Sequence, residues 1–523
     1  MRRLLGMARL RASGPWLALA AVAVVAFSPL LLVDIPTLYD YPNRIAALHV
    51  LLRHDGDPAL AANYAIRWSL QPNLAIQLLA MPLGKLFSAY AIGRIMVSLA
   101  LVLPLVGTCA LYRTVHGHLD YWPLLATLFL YNSILAVGAL NYVIGMGLAL
   151  LGFALWLGLG RRRLGLAVLV GTAVSMALYF AHLVAFAAYG LMVMLSALSQ
   201  AHAARSAGTR RSLTIVLLAA SQLVPAGILA ITVTTRFPGS LTSYGGVRDK
   251  LVALASPTLF YAEKIDFITF AAVALGLIWL LASRRLSFAR ELRLSIVGLA
   301  IVAAAMPSYL NGIYAVDRRL PPLVVFLLIA ATRLEPGSPT VARCVAAGLI
   351  VLLSWRLWGV AERWQTIDAQ YGEYRRATVG LPAGARLLMV ENRVDAGRPA
   401  DLLRYAHVHL AALSVIERAA FVPSLFTYTG PVFAGKRTAR IDAPATQPLS
   451  PEDLRRGAGV SEGTKLGGPI GRLGQPYYWA NWPQNYDYVV WLHYGAGARG
   501  LPEAHLAPQA SGSFFDIFRV VPD

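Results

Sequence analysis

The chain has 523 residues, 57% of them hydrophobic and 14% charged, with a mean hydropathy of +0.58. A soluble chain carries about a quarter charged residues, so these values exclude a soluble globular fold. The formal net charge of +20 comes from short arginine clusters between apolar runs, not from a basic patch with interleaved aromatics, which argues against nucleic acid as a partner.

Residues 1–15 carry Arg2, Arg3, Arg9 and Arg11 and precede an apolar stretch from Trp16 to Val33. That stretch exceeds the apolar core of a signal peptide, about 7–15 residues, and no A-x-A site follows, so it reads as an uncleaved first helix. A polar segment, 34–90, comes next and opens with "DIPTLYDYPNRIAALHVLL". Pro42 suits the first turn of a helix, where a missing N–H costs nothing. Asp40 then stands at the N-cap, where a carboxylate accepts from free backbone N–H groups. Ile45, Leu48, Val50 and Leu52 give that helix an apolar stripe, which predicts a helix lying along the membrane interface.

Further apolar runs follow near 91–112, 122–136, 141–159, 164–181, 183–200, 213–233, 266–282, 294–310, 320–333 and 344–360. With 16–33 they make about eleven predicted spans. Arg113, Arg161–Arg163, Arg205, Arg210, Arg211, Arg284, Arg285, Arg290, Arg293, Arg333 and Arg343 all fall on the side of the basic N-terminus. The positive-inside rule makes that side cytoplasmic and puts the C-terminus outside. Asp34, Asp40, Asp249, Glu263, Asp266 and Asp317 then fall on the outer side. Cys109 and Cys344 both lie in apolar runs, so neither a disulfide framework nor a thiolate metal site is indicated.

Beyond about residue 361 the pattern changes. "ARLLMVEN" and "YDYVVWLHY" read as buried strands, "SFFDIFRVV" reads as a closing strand, and "ADLLRYAHVHLAALSVIE" has helical spacing. Residues 430–485 are rich in Gly, Pro, Arg and Ser and read as loop, including "GGPIGRLG" (467–474), which lacks the strand–helix context of a nucleotide cradle. The expected architecture is an all-α polytopic membrane domain over 1–360 and a small α/β domain over 361–523, on the periplasmic side of a bacterial-type inner membrane.

One early span, a long outer loop with an aspartate and an amphipathic helix, about eleven spans in all and a trailing outer domain resemble the GT-C superfamily of integral-membrane glycosyltransferases. "QPNLAIQLLAMPLGKLF" (71–87), "GALNYVIGMGLALL" (138–151), "FAHLVAFAAYGL" (180–191) and "YAVDRRLPP" (314–322) look like an uncharacterised bacterial branch of it. The resemblance implies a sugar donor on a polyprenyl phosphate, a glycan, lipid or protein acceptor, and an acidic residue of the first outer loop that activates the acceptor. By position that residue is Asp40, with Asp34 second. Relatives often hold a divalent metal on adjacent acidic residues. Here Asp40 is followed by Tyr41 and Pro42, so no cofactor is implied with certainty and a divalent metal stays open, without an acidic pair to support it.

Three arginines are candidates for the donor phosphate. Arg318 and Arg319 stand between two apolar runs on the side where the positive-inside rule expects few, and guanidinium forks bind phosphate bidentately. The structural alternative is snorkelling at a helix end. Arg94 falls inside the second predicted span, where a charge is costly without a partner. Asn43, Arg44, His182 and Asp317 complete the candidate pocket, although His182 also reads as a hydrogen-bonded turn histidine. His407 and His409 are two apart on a predicted helix, face different directions and make a poor metal pair. A transporter would need ionisable groups at the bilayer midplane and internal symmetry, of which the sequence shows little. A non-catalytic scaffold or sensor would tolerate loss of Asp40.

Overall fold

In the computed structural model every one of the eleven apolar runs is helical over all or most of its length. The structure describes residues 2–207, 209–233, 242–260, 263–310, 313–335, 338–392, 406–423, 425, 430–442, 448–458, 478–494 and 503–521. The glycine-rich stretch 467–474 and the start of the predicted helix, 400–405, lie outside them.

Among the described residues six helices are long and apolar enough to cross a membrane: Ala89–His116, Leu140–Gly160, Leu164–Ala181, Leu183–Ala204, Lys264–Ala282 and Thr340–Thr378. Thr209–Ser221 and Val224–Val233, bent by 47°, make a seventh if they form one span. Gly14–Ala26, Trp122–Val137 and Leu320–Ala331 are apolar but shorter. At 1.5 Å per residue they fall short of a hydrocarbon core of about 30 Å. The chain is a multi-pass membrane protein.

By its contacts the chain divides into two units. The first comprises Met1–Leu32, Leu70–Ile76 and Met96–Arg363; the second comprises Val33–Ser69, Gln77–Ile95 and Trp364–Asp523. Most of the first outer loop therefore groups with the C-terminal residues.

In the first unit small residues let helices touch. A Cβ added at Gly107 would lie 2.7 Å from the Gly147 carbonyl oxygen, and one at Gly147 would lie 2.4 Å from Leu103 backbone. The Ala89–His116 and Leu140–Gly160 helices thus meet backbone to backbone, the usual means of packing where lipid supplies no hydrophobic drive. The bend after Ser221 has a polar anchor. Buried Gln222 accepts from the Tyr189 hydroxyl at 2.9 Å, and only the missing side chain of Gly171 leaves room for its amide.

One buried ion pair holds three segments of this unit together. Arg356, 2% exposed, donates to Asp266 Oδ1 at 2.8 Å and to the carbonyls of Tyr131 and Thr258. Asp266 Oδ2 also accepts from Phe260 N–H at 2.7 Å. Satisfied on all these sides, the pair reads as a structural clamp.

The second unit contains a four-stranded mixed sheet. Leu387–Glu391 runs parallel to Tyr488–Leu492, which pairs antiparallel with Phe515–Val520, and Leu506–Ser511 forms the far edge. Both faces of the parallel pair are buried, including Leu387, Leu388, Val489, Val490 and Trp491. That explains why "LLMV" and "YVVWL" read as continuous apolar runs instead of alternating. The edge strand carries Pro508, which an outer position tolerates because no ladder N–H is needed there.

The helix after Pro42 is Tyr41–Arg53, with the proline in its first turn. Of its apolar stripe Ile45, Leu48 and Val50 are buried and Leu52 is half-buried; the short Leu413–Arg418 helix packs on it. The predicted helix 400–417 is also shorter than its spacing suggested: residues 406–409 form a turn, followed by a 3-10 turn at Leu410–Ala412.

Candidate active site

Asp40 stands at the N-cap position of Tyr41–Arg53, but its side chain makes no capping hydrogen bond. Its backbone is already helical, with φ −83° and ψ −4°, whereas a capping side chain needs an extended residue. Asp57 shows the contrast: it is extended, and its Oδ1 accepts from Ala59 N–H at 2.9 Å and Leu60 N–H at 3.2 Å. The Asp40 carboxylate turns instead to Arg44, which donates to Oδ2 at 2.8 Å one helical turn on. His409 Nε2 lies 3.7 Å from Oδ1.

The tautomer of His409 follows from its other contact. Asn43 Nδ2 lies 2.8 Å from His409 Nδ1. An amide nitrogen can only donate, so Nδ1 accepts and the ring proton of a neutral imidazole is on Nε2, facing Asp40. Burial, reinforced by the Arg44 charge, pushes the His409 pKa down to about 3, so the ring is neutral near pH 7. Asn43 and His409 are both buried, and the Tyr39 ring meets the His409 ring edge-on at 5.2 Å. Asp40 keeps 13% of its side-chain surface accessible and Arg44 28%. The cluster therefore offers a partly accessible carboxylate held by one cation, with the neutral His409 ring close beside it.

Asp34 is placed through its backbone. Its N–H and that of Ile35 both donate to the Asp368 carboxylate at 2.9 Å. Arg94 donates to the carbonyls of Val33 and Asp34. It lies in the first turns of the Ala89–His116 helix, where it clamps the start of the outer loop. Nearby in sequence, Tyr90 and Arg375 both donate to Glu417 Oε1, at 2.7 and 2.6 Å.

In the first unit, His182 caps the Leu183–Ala204 helix, its Nδ1 accepting from Val184 N–H at 3.1 Å. Arg319 reaches the other ring nitrogen, Nε2, at 2.8 Å. Tyr142 packs edge-on against the His182 ring at 5.2 Å and donates to the Arg319 carbonyl. A neutral imidazole offers a single lone pair, so cap and guanidinium compete for it. Arg318 turns to Tyr314, donating to its hydroxyl at 3.2 Å with the guanidinium over the ring. Asp317 is buried, accepting from Ser308 Oγ at 2.8 Å and pairing with Lys250 Nζ at 3.2 Å.

The structure thus brings together Asp40, Asn43 and Arg44 in one cluster and Arg319 with His182 in another. Sequence reasoning missed His409, Tyr142 and Lys250 as partners. The only trace of His409 was a polar residue in the apolar run "VHLAALSV".

No protein-family model matches the chain, and no curated protein does. Solved structures do match. ArnT from Cupriavidus metallidurans bound to undecaprenyl phosphate is 14% identical, with a TM-score of 0.50 and 98% of each chain covered. The same protein in the apo state is 12% identical, with a TM-score of 0.45 over 98% of each chain. Along nearly its whole length, the chain has a fold similar to that of this ArnT structure.

Proposed function

We propose that the chain is a membrane glycosyltransferase that moves a sugar from a polyprenyl-phosphate donor to a cell-envelope acceptor on the periplasmic face. One observation carries the reading: the end-to-end likeness in fold to a protein captured with undecaprenyl phosphate. In the proposed reaction an acceptor hydroxyl attacks the anomeric carbon, the bond from that carbon to the phosphate oxygen breaks, and polyprenyl phosphate leaves with the electron pair. Asp40 takes the hydroxyl proton, as a positioned carboxylate can. Arg44 holds its orientation, and Asn43 fixes the His409 ring beside it. Arg319 is the stronger candidate for the donor phosphate. An anion accepting from its guanidinium would free the His182 lone pair for the helix cap. Arg318, Arg94 and Asp34 remain candidates for lesser roles, as does Asp317 as a support for the Arg318–Arg319 turn.

The test is a deletion strain. Envelope glycans and lipid-linked sugars are compared with wild type by mass spectrometry. A missing glycan substituent together with accumulated polyprenyl-phosphate sugar is the expected result. Unchanged profiles of both pools would overturn the proposal.

A further inference from the structure

We propose that a cleft of about 830 Å³ between the end of the Leu183–Ala204 helix and the start of the Arg293–Ala305 helix binds the phosphate headgroup of an anionic phospholipid. Arg205, Arg290 and Arg293 line it, and no carboxylate does. Arg205 donates to His202 Nε2 at 2.7 Å, a partner that brings no negative charge. Among the described residues Arg290 and Arg293 have no ion-pair partner; the adjacent Glu291 is taken by Arg161 at 3.0 Å. Three guanidiniums with no acid are poised for an anion, and Arg forks suit phosphate oxygens.

The cleft is also half apolar. Leu198, Leu294 and Val297 line it and are 47%, 42% and 54% exposed. They lie on two apolar helices of a multi-pass membrane protein, where exposed leucine and valine meet acyl chains. A free phosphate ion would have no use for them, so charge and grease together select a lipid. The walls are fixed. Ser295 Oγ donates to the Met192 carbonyl at 3.1 Å, and the missing side chain of Gly298 admits Leu195. The arginines belong to the clusters by which the positive-inside rule marks the cytoplasmic side, so the lipid comes from that leaflet. This site is independent of the proposed sugar transfer and uses none of its residues.

The full-length protein in a neutral detergent is titrated with phosphatidylglycerol or phosphatidylcholine, and bound lipid is read by native mass spectrometry. Phosphatidylglycerol should be retained preferentially, and R290Q/R293Q should weaken its retention roughly tenfold. The control R162Q/R163Q removes two arginines that do not line the cleft and should leave retention within about twofold of wild type. Equal loss in both double variants would mean diffuse surface charge and overturn the site. Competition by millimolar inorganic phosphate as effective as by lipid would likewise overturn it. Should R290Q/R293Q not fold, the wild-type comparison decides alone, since equal retention of the two lipids refutes the proposal.

Discussion

His409 aims its Nε2 at Asp40 Oδ1 across 3.7 Å, although one residue belongs to the first outer loop and the other to the C-terminal part of the chain. Arg44 closes on the second carboxylate oxygen at 2.8 Å. A carboxylate that merely capped a helix would not be oriented this way, because its oxygens would face the backbone.

Replacing Asp40 by Asn keeps size and shape, and no cap is lost because none is made. The partly exposed pair with Arg44 is worth about 1 kcal/mol or less, so detergent stability should hardly move. Turnover should drop by roughly 10²–10⁴ if the carboxylate is the acceptor base. The readout is complementation of the deletion strain's glycan profile at matched protein level. Full complementation by Asp40→Asn removes Asp40 from the chemistry, and Asp34→Asn serves as the comparison.

Acid should destabilise the second unit through two buried histidines. Burial lowers the His407 pKa to about 4 and the His409 pKa to about 3, while the unfolded chain titrates near 6.5. Below about pH 6.5 the unfolded state binds protons that the folded state refuses. Stability is therefore present above that pH and is lost as pH falls toward the folded values, by about 2 kcal/mol per histidine at pH 5. His407 packs on the rings of Phe514, Tyr494 and Tyr371, so His407→Phe should fit. It should shrink the drop in melting temperature between pH 7.5 and pH 5. An unchanged drop would mean that His407 is not the proton acceptor.

Arg319→Ala should weaken donor-lipid use more than Arg318→Ala, because Arg319 is tied to His182 whereas Arg318 lies over the exposed ring of Tyr314. Loss of a charge-assisted bond to phosphate costs about 1.5–3 kcal/mol, or roughly 10- to 100-fold in apparent affinity. The measurement is apparent affinity for a polyprenyl-phosphate sugar with purified protein. Wild-type affinity in both variants would leave these arginines with structural roles alone.

Arg356→Met should be among the most damaging single changes in the first unit. It leaves Asp266 buried without its cation and frees the carbonyls of Tyr131 and Thr258. Breaking such a pair costs about 3–5 kcal/mol. Melting in detergent should fall sharply, with part of the loss recovered by adding Asp266→Asn. A melting curve like that of wild type would show that the clamp is dispensable.

Sidedness can be read directly. Reporter fusions after Arg163 and after Val520 should give opposite signals, cytoplasmic and periplasmic, because arginine clusters alternate with apolar runs in that sense. A cytoplasmic signal at Val520 would overturn the periplasmic assignment of Asp40.

Apolar runs by themselves determined where the helices are, because in lipid a backbone must satisfy its own hydrogen bonds and only a helix does so within one segment. Short apolar runs located the strands at Leu387–Glu391 and Tyr488–Leu492, buried on both faces, and alternation located Phe515–Val520. Pro42 in the first turn of its helix was equally legible, since proline acts on its immediate neighbours. What Asp40 bonds to was not. At the level of sequence a cap and an ion pair differ only in the residue's own backbone angles, and packing set these to helical values. Nor did spacing reveal His409, because its meeting with Asp40 and Asn43 joins distant parts of the chain and leaves no periodic trace. The protein that packs on the Tyr41–Arg53 stripe was hidden for a related reason. An apolar stripe states that a helix face is buried, and only the tertiary structure decides whether lipid or protein buries it.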